Sequence, residues 1–362
     1  MAAAGGRSAW RQGGGTGVTW PEVLAALTAR RDLSPEAATW AMGQILAGEA
    51  TDAQIAAFAV TLRAKGETAA EISGLAQSML DVATAIDLTT DAVDIVGTGG
   101  DRAMTVNIST MAAMVAAAAG VPVVKHGNRA ASSACGTADC LEALGVALDV
   151  PPSAQAQVLA DAGIVFMFAP LYHPSLRFAA GPRRELGVPT IFNFLGPLAN
   201  PARPAASAIG VADERMAALM AHVIAGRGHR GLIFHGGDGL DELTTTTASR
   251  VWVVADGQVV ESSFDPTDLG IPASTPESLV GGDPTHNAAV VREVFAGTAG
   301  PIRDIVQLNA AAAIVAFEGP VFDVPVADQL RERFARAGQA IDSGAAAALL
   351  ETWVAATGRA KA

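Results

Sequence analysis

Near Asp91 the hydrophobic pattern of this chain changes its period. Before that point apolar residues recur at helical spacing, as in Ile55, Phe58, Ala59 and Leu62, then Ile72, Leu75, Ala76 and Met79. Helix-start patterns recur with them: Thr19 with Glu22, Thr51 with Gln54 and Thr68 with Glu71 read as capping boxes, and Ser34-Pro35 supplies an N-cap and a first-turn proline. Four short helices are therefore expected from Thr19 to about Ala85. After Asp91 short runs of β-branched residues alternate with helical stretches. Val93–Val96, Val121–Val124, Ile164–Phe168, Ala208–Val211 and Leu232–His235 read as buried strands, and Val251–Val254 with Gln258–Glu261 reads as a hairpin about Asp256-Gly257. Alternating strands and helices imply a mainly parallel sheet covered by helices. The fold class expected is α/β, a small N-terminal all-α domain followed by a larger α/β domain. The domain boundaries read as a flexible tail over 1–18, a helical domain over 19–88 and an α/β domain over 89–362, with part of 170–200 free to pack against the helical one.

The 362 residues carry 36 acidic and 24 basic side chains, a net charge of -12. That balance opposes a protein that grips nucleic acid through its phosphates. It does not oppose small phosphorylated ligands, which are held by local N–H groups, single cations and metal ions. The two cysteines, Cys135 and Cys140, form no zinc pattern. They fit a reducing cytoplasm, where they pack as small residues. No apolar run is long enough to span a bilayer, and the first residues lack the apolar centre of a signal peptide.

Four segments carry side chains suited to chemistry. Gly97-Thr98-Gly99-Gly100-Asp101 follows a strand and precedes a helix that starts near Asn107-Ile108-Ser109-Thr110. Glycines admit close backbone approach and a helix N-terminus favours an anion, so a phosphate cradle is one reading. A tight turn with an Asn/Ser/Thr cap is the other. Arg102 stands where a dinucleotide fingerprint needs its third glycine, and no Walker lysine follows. The second segment, Lys125 to Ser133, gathers two cations, an imidazole, an amide and two hydroxyls in a loop after a strand, where α/β proteins bind ligands. The chain has only three lysines, Lys65, Lys125 and Lys361, and Lys65 ends a helix that reads as exposed. The third segment, His235 to Thr244, places Asp238, Asp241 and Glu242 after a strand. Its oxygen donors suit Mg²⁺, although an acidic surface turn would look similar. The fourth includes His173-Pro174, Arg183-Arg184 and Asn193 to Pro201. An arginine there could hold a carboxylate through paired hydrogen bonds, while its neighbour lies on a solvated helix face. His222, His229 and His286 read as ordinary helix or loop residues.

Taken together and in this order, these segments closely resemble the anthranilate phosphoribosyltransferases over roughly Trp20 to Trp353. The resemblance implies a cytoplasmic glycosyltransferase of tryptophan biosynthesis, typically homodimeric, with its active site between the two domains. It implies transfer of the phosphoribosyl group of 5-phosphoribosyl-1-pyrophosphate (PRPP) to anthranilate, an SN1-like displacement assisted by two Mg²⁺ ions. By resemblance, PRPP is held by Gly97, Gly100, Asp101, Thr105, Asn107, Ile108, Ser109 and Thr110. Lys125, His126, Gly127, Asn128, Arg129, Ala130, Ala131, Ser132, Ser133 and Thr137 complete that set. Ser109, Asp241 and Glu242 would hold the metal. Gly97, Asn128, His173 and Arg183 would meet anthranilate, and Lys125 would stabilise charge on the leaving pyrophosphate. No nucleophile or general base is implied, because the aromatic amine is neutral at pH 7. The chain departs from the family at Arg102-Ala103-Met104, Leu176 and Gly181-Pro182. A pyrimidine-nucleoside phosphorylase of the same architecture is the competing enzyme, disfavoured by Asp241-Glu242 and Asn128-Arg129. A non-catalytic nucleic-acid-binding relative is disfavoured by charge.

Overall fold

The computed structural model describes residues 17–88, 91–130 and 134–361. The expected tail over 1–18 therefore lies almost wholly outside the described residues, as do Ala131, Ser132 and Ser133. Four helices come first: α1 (Trp20–Thr28), α2 (Pro35–Leu46), α3 (Asp52–Lys65) and α4 (Ala69–Asp81). Their starts follow the capping logic of the sequence. Thr51 accepts from the Gln54 amide while the Gln54 side chain accepts from the Thr51 amide, and Thr68 with Glu71 does the same.

A seven-stranded sheet follows, in the order β3-β2-β1-β4-β5-β6-β7. Its strands are β1 (Val93–Gly97), β2 (Val123–Gly127), β3 (Ile164–Phe168), β4 (Ala206–Gly210), β5 (Arg230–Gly236), β6 (Ser249–Ala255) and β7 (Gln258–Phe264). β1 to β5 pair in parallel, and β6 and β7 close one edge antiparallel. The helices of this part are α5 (Ile108–Ala118), α6 (Thr137–Leu144), α7 (Gln155–Ala162), α8 (Ala169–Tyr172), α9 (Arg177–Leu186), α10 (Glu214–Gly226), α11 (Pro284–Phe295), α12 (Pro301–Glu318), α13 (Val326–Asp342) and α14 (Ala345–Lys361).

Period-two alternation splits the sheet's side chains between two cores. Ala208, Leu232, Phe234 and Val253 join α5, α12 and the C-terminal helices on one face. Ile209, Ile233, Trp252 and Val254 join α9, α10 and α1 to α4 on the other. The first four helices thus share a continuous core with one face of the sheet, and Ile191 to Ala199 supplies much of the join.

Strand order reverses at β1, which has β2 on one side and β4 on the other. Ligands of open parallel sheets bind in the crevice that such a reversal leaves beyond the strands' carboxyl ends. Here two glycines meet at that reversal, since Gly97 at the end of β1 stands opposite Gly210 at the end of β4.

Two local expectations change. β2 begins at Val123 and continues through Lys125 and His126 to Gly127, so these two side chains belong to a strand buried on both faces rather than to the loop after it. Lys65 is not solvated. Its ammonium pairs with Glu71 at 2.9 Å and Asp32 at 2.7 Å, and its side chain is 3% exposed. A lysine in a helix's last turn can bury its stem and still find carboxylates on adjoining elements.

Candidate active site

A cavity of about 330 Å³ opens beyond the carboxyl ends of β1 and β2. Its floor is Asp241-Glu242, a turn laid against Gly97 and Gly210. A Cβ on Gly97 would collide with the Asp241 carboxylate, and one on Gly210 with the Asp241 carbonyl. Asp241 accepts from the Gly99 amide at 2.7 Å, and Glu242 accepts from the Ser109 amide in the first turn of α5. That turn of helix therefore already faces one carboxylate, as its dipole favours. Asn309 of α12 holds the next residue at both ends: Leu243 N donates to its Oδ1 at 3.0 Å, and its Nδ2 donates to Leu243 O at 2.9 Å. Asp238 takes no part in the carboxylate pair. It accepts from the Thr244 hydroxyl at 2.8 Å and from that of Thr246, which shapes the turn.

Burial pushes the Asp241 and Glu242 carboxyls well above the usual range. Asp101, hydrogen-bonded to Asp241, adds to the upward push on both. Among the described residues no arginine offsets them. The compensating cation is Lys125, directly beneath. At 1% exposed, it does not line the cavity. Its Nζ donates to Ile95 O, and its charge faces Asp94, Glu242 and Asp241. Asp94 is itself buried, pushed up to about 6 by desolvation, and held by Asn200 Nδ2 at 2.8 Å.

The donor set at the floor is oxygen only, which fits a hard divalent cation. Two buried carboxylates short of positive charge are what such a cation would neutralise. Among the described residues no three His, Cys, Asp or Glu side chains converge as a full metal cage. Mg²⁺ commonly takes one or two carboxylates and completes its shell with substrate phosphates and water.

The glycine loop forms one wall, with Gly99 and Gly100 at φ +70° and +88°. Arg102 and Met104 also adopt positive φ, +62° and +53°, where side chains are uncommon. Thr105 pairs with Val280, which ties the loop's end to a distant segment. Asn107 does not cap α5 with its side chain. Its Nδ2 donates to Cys135 O at 3.1 Å and its Oδ1 accepts from Asn287 at 2.8 Å, joining two walls instead.

Of the remaining residues expected at the site, Gly97, Gly100, Asp101, Thr105, Ile108, Ser109, His126, Gly127, Asn128, Arg129, Thr137 and Arg183 line the cavity. Arg129 does so while paired with Asp139 at 2.8 Å and Glu142 at 2.9 Å. His126 is buried, its Nδ1 at 3.2 Å from Gly196 O and its ring pushed down to about 3 by desolvation. Thr110, Ala130 and His173 are not among the lining residues. Thr110 is buried behind the wall at 3.4 Å from Thr137 Oγ1. His173 packs edge-on against His126, with its Nε2 at 2.7 Å from Ala199 O.

Arg183 projects from α9 toward Phe192, 5.7 Å from the ring centre, with no carboxylate partner among the described residues, while Arg184 is exposed. Pro182 sits buried inside the same helix. Met79, Met104, Cys135, Ala169 and Phe192 also line the cavity without having been expected there. Met79 comes from α4, so the helical domain contributes directly. Its place in an apolar helical stripe gave no sign beyond core packing.

Residues 21–83 match a family model described as the helical bundle domain of a glycosyl transferase family. Residues 89–347 match its a/b domain. An anthranilate phosphoribosyltransferase of Thermobifida fusca is 59% identical over 336 residues, 93% of this chain and 96% of the relative. One of Acidothermus cellulolyticus is 61% identical, over 94% of this chain and 95% of the relative. The chain belongs to the anthranilate phosphoribosyltransferase family. Solved anthranilate phosphoribosyltransferases superpose accordingly. That of Thermus thermophilus has a TM-score of 0.85 at 39% identity, covering 92% of this chain and 99% of its own. That of Saccharomyces cerevisiae, in complex with PRPP and Mg, has a TM-score of 0.84 at 26% identity, covering 94% and 98%. Among the described residues no helix is long and apolar enough to cross a membrane.

Proposed function

We propose that this chain transfers the 5-phosphoribosyl group of PRPP to the amine of anthranilate, releasing pyrophosphate and N-(5-phosphoribosyl)anthranilate. The observation that carries the reading is the polarity of this one cavity. Its lining joins buried carboxylates beside a glycine loop with Arg183, free of carboxylate partners among the described residues, against an aromatic ring. A polyphosphate carried by a divalent cation suits the carboxylates and the loop. A planar aromatic carboxylate suits Arg183 and the ring.

In this reading Asp241 and Glu242 hold Mg²⁺, Ser109 completes the protein's share, and the number of ions is two. When bound, the metal neutralises charge on the pyrophosphate that leaves. The glycine loop, with open space where side chains on Gly99 and Gly100 would stand, lets the phosphates approach the backbone at the start of α5. Asn128 and Gly127 border the ribose. Arg183 holds the anthranilate carboxylate and so aims its amine at C1, where the C–O bond to pyrophosphate breaks ahead of C–N bond formation and the proton that the amine loses passes to the departing pyrophosphate or to water. Holding both reactants in register suffices for an aromatic amine that is neutral at pH 7 and so needs no strong general base. Lys125 acts from behind the floor, where its charge opposes the upward push on Glu242, rather than touching pyrophosphate. The boundaries at 19–88 and 89–362 and the homodimer belong to the same reading.

Anthranilate fluorescence tests it. Its loss is expected only when protein, PRPP and Mg²⁺ are all present. Loss without PRPP, or none with all three, overturns the assignment.

A further inference from the structure

A second cavity, of about 230 Å³, lies at the opposite end of β4 from the catalytic one. It is walled by Gln77 and Leu80 of α4, by the loop from Pro197 to Pro204, by Ser207 at the start of β4, and by Arg227 and His229 after α10. It thus sits on the seam between the helical and α/β parts. Pro197 lines both cavities.

Its charge is unbalanced. Arg203 and Arg227 are the arginines of this cavity, and neither makes an ion pair among the described residues. Arg203 donates to Leu80 O at 3.1 Å and Arg227 Nη1 to Leu198 O at 2.8 Å, both neutral acceptors. Arg227 Nη2 is shielded from solvent and has no partner among the described residues. Burial and the charge of Arg203 push Arg227 down to about 10, with no carboxylate acting in the other direction. Burial and the charges of Arg227 and Arg230 push the His229 ring down. The nearest acid along α4, Asp81, is engaged by Gln77 at 2.6 Å. The C-terminus of α10 accounts for one cation beside it, but not for a second. Arg203 also occupies positive φ, +49°, a conformation that a side chain rarely takes. Ser207, on the cavity wall, is buried.

We propose that this cavity is a binding site for inorganic phosphate, distinct from the catalytic cavity. Two guanidinium groups supply charge-assisted, geometrically matched donors for phosphate oxygens. Ser207 supplies a neutral one. The volume exceeds that of several water molecules, at about 30 Å³ each. An occupant would touch α4 and the loop that continues into the catalytic wall, bridging the two parts of the chain.

Equilibrium dialysis with labelled inorganic phosphate tests this, with saturating PRPP and Mg²⁺ present to fill the catalytic cavity. The wild type is expected to retain about one PRPP-resistant phosphate per chain. Arg203→Gln removes an exposed side chain and one backbone contact, so folding is preserved. It should weaken that binding about tenfold or more, as loss of a charge-assisted hydrogen bond implies. Arg227→Gln should do the same, and Arg359→Gln, on the far surface, should not. Phosphate binding wholly displaced by PRPP, or wild-type binding in Arg203→Gln, overturns the proposal.

Discussion

Gly97 and Asp241 share one place: the position a Cβ on Gly97 would occupy is filled by the Asp241 carboxylate. The strand end and the acidic turn, 144 positions apart in sequence, close on each other only because position 97 has no side chain. The carboxylate lies at the crevice between β1 and β4 for that reason, and the consequences of removing its charge can be read there.

Asp241→Asn and Glu242→Gln keep shape and lose charge. The amide oxygen introduced by Asp241→Asn can still accept from the Gly99 N–H, so folding should change little. Steady-state kinetics should show Mg²⁺ and PRPP requirements raised about 10- to 100-fold, the range of one charge-assisted interaction, with the anthranilate KM nearly constant. Unchanged Mg²⁺ response in both variants would reduce the pair to a structural turn.

Lys125→Met should cost stability as well as activity. It leaves Asp94, Asp241 and Glu242 without their buried cation, and breaking such a pairing costs about 3–5 kcal/mol. Urea unfolding should register the loss. Lys65 cannot be the neutral comparison that its helix-end position suggested, because it too is buried between carboxylates. Lys361, 56% exposed and paired with Asp149 at the surface, can. Equal stability of Lys125→Met and Lys361→Met would contradict this account of the floor.

Arg183→Ala should raise the KM for anthranilate about 10- to 100-fold and leave PRPP binding nearly intact, by the same arithmetic. Arg184→Ala should do far less, since that side chain is in solvent. A larger effect at Arg184 would mean that Pro182 turns α9 differently when ligands are present.

His126 predicts an acid limit. Its folded value is pushed down to about 3, against about 6.5 in an unfolded chain. Between those values the unfolded chain binds a proton that the folded one refuses. Stability from this group is therefore complete above about pH 6.5 and lost as pH falls toward 3, at up to about 1.4 kcal/mol per pH unit. His126→Asn should flatten the slope between pH 7 and pH 5 in urea titrations, whatever its stability at pH 7. An unaltered slope would show that other groups set it.

The helical start, the change of period near Asp91 and the strand ends that carry the site were legible because they depend on local spacing. What failed depended on parity and on distant partners. Ending β2 at Val124 left Lys125 in a loop. Extending it to Gly127 sends the side chain under the floor. Asn107 looked like a helix cap, and its real partners, Cys135 and Asn287, are 28 and 180 residues away. His173 stood beside functional neighbours in sequence but packs behind His126. Asn309 and Met79 carry no local sign, since each matters only through the segment that the fold brings to it.

The core shared by α1 to α4 with α9, α10 and the sheet bears on how the chain is made. The four helices leave the ribosome before the sheet does, yet the apolar face they must cover is completed by α10, about 145 residues later. At synthesis rates of about 5–20 residues per second, that surface waits roughly 7 to 30 s for its partner. During this interval Phe58, Leu62, Leu75 and Met79 belong to a nascent chain with an unfinished interior. A holding chaperone would find its binding surface there.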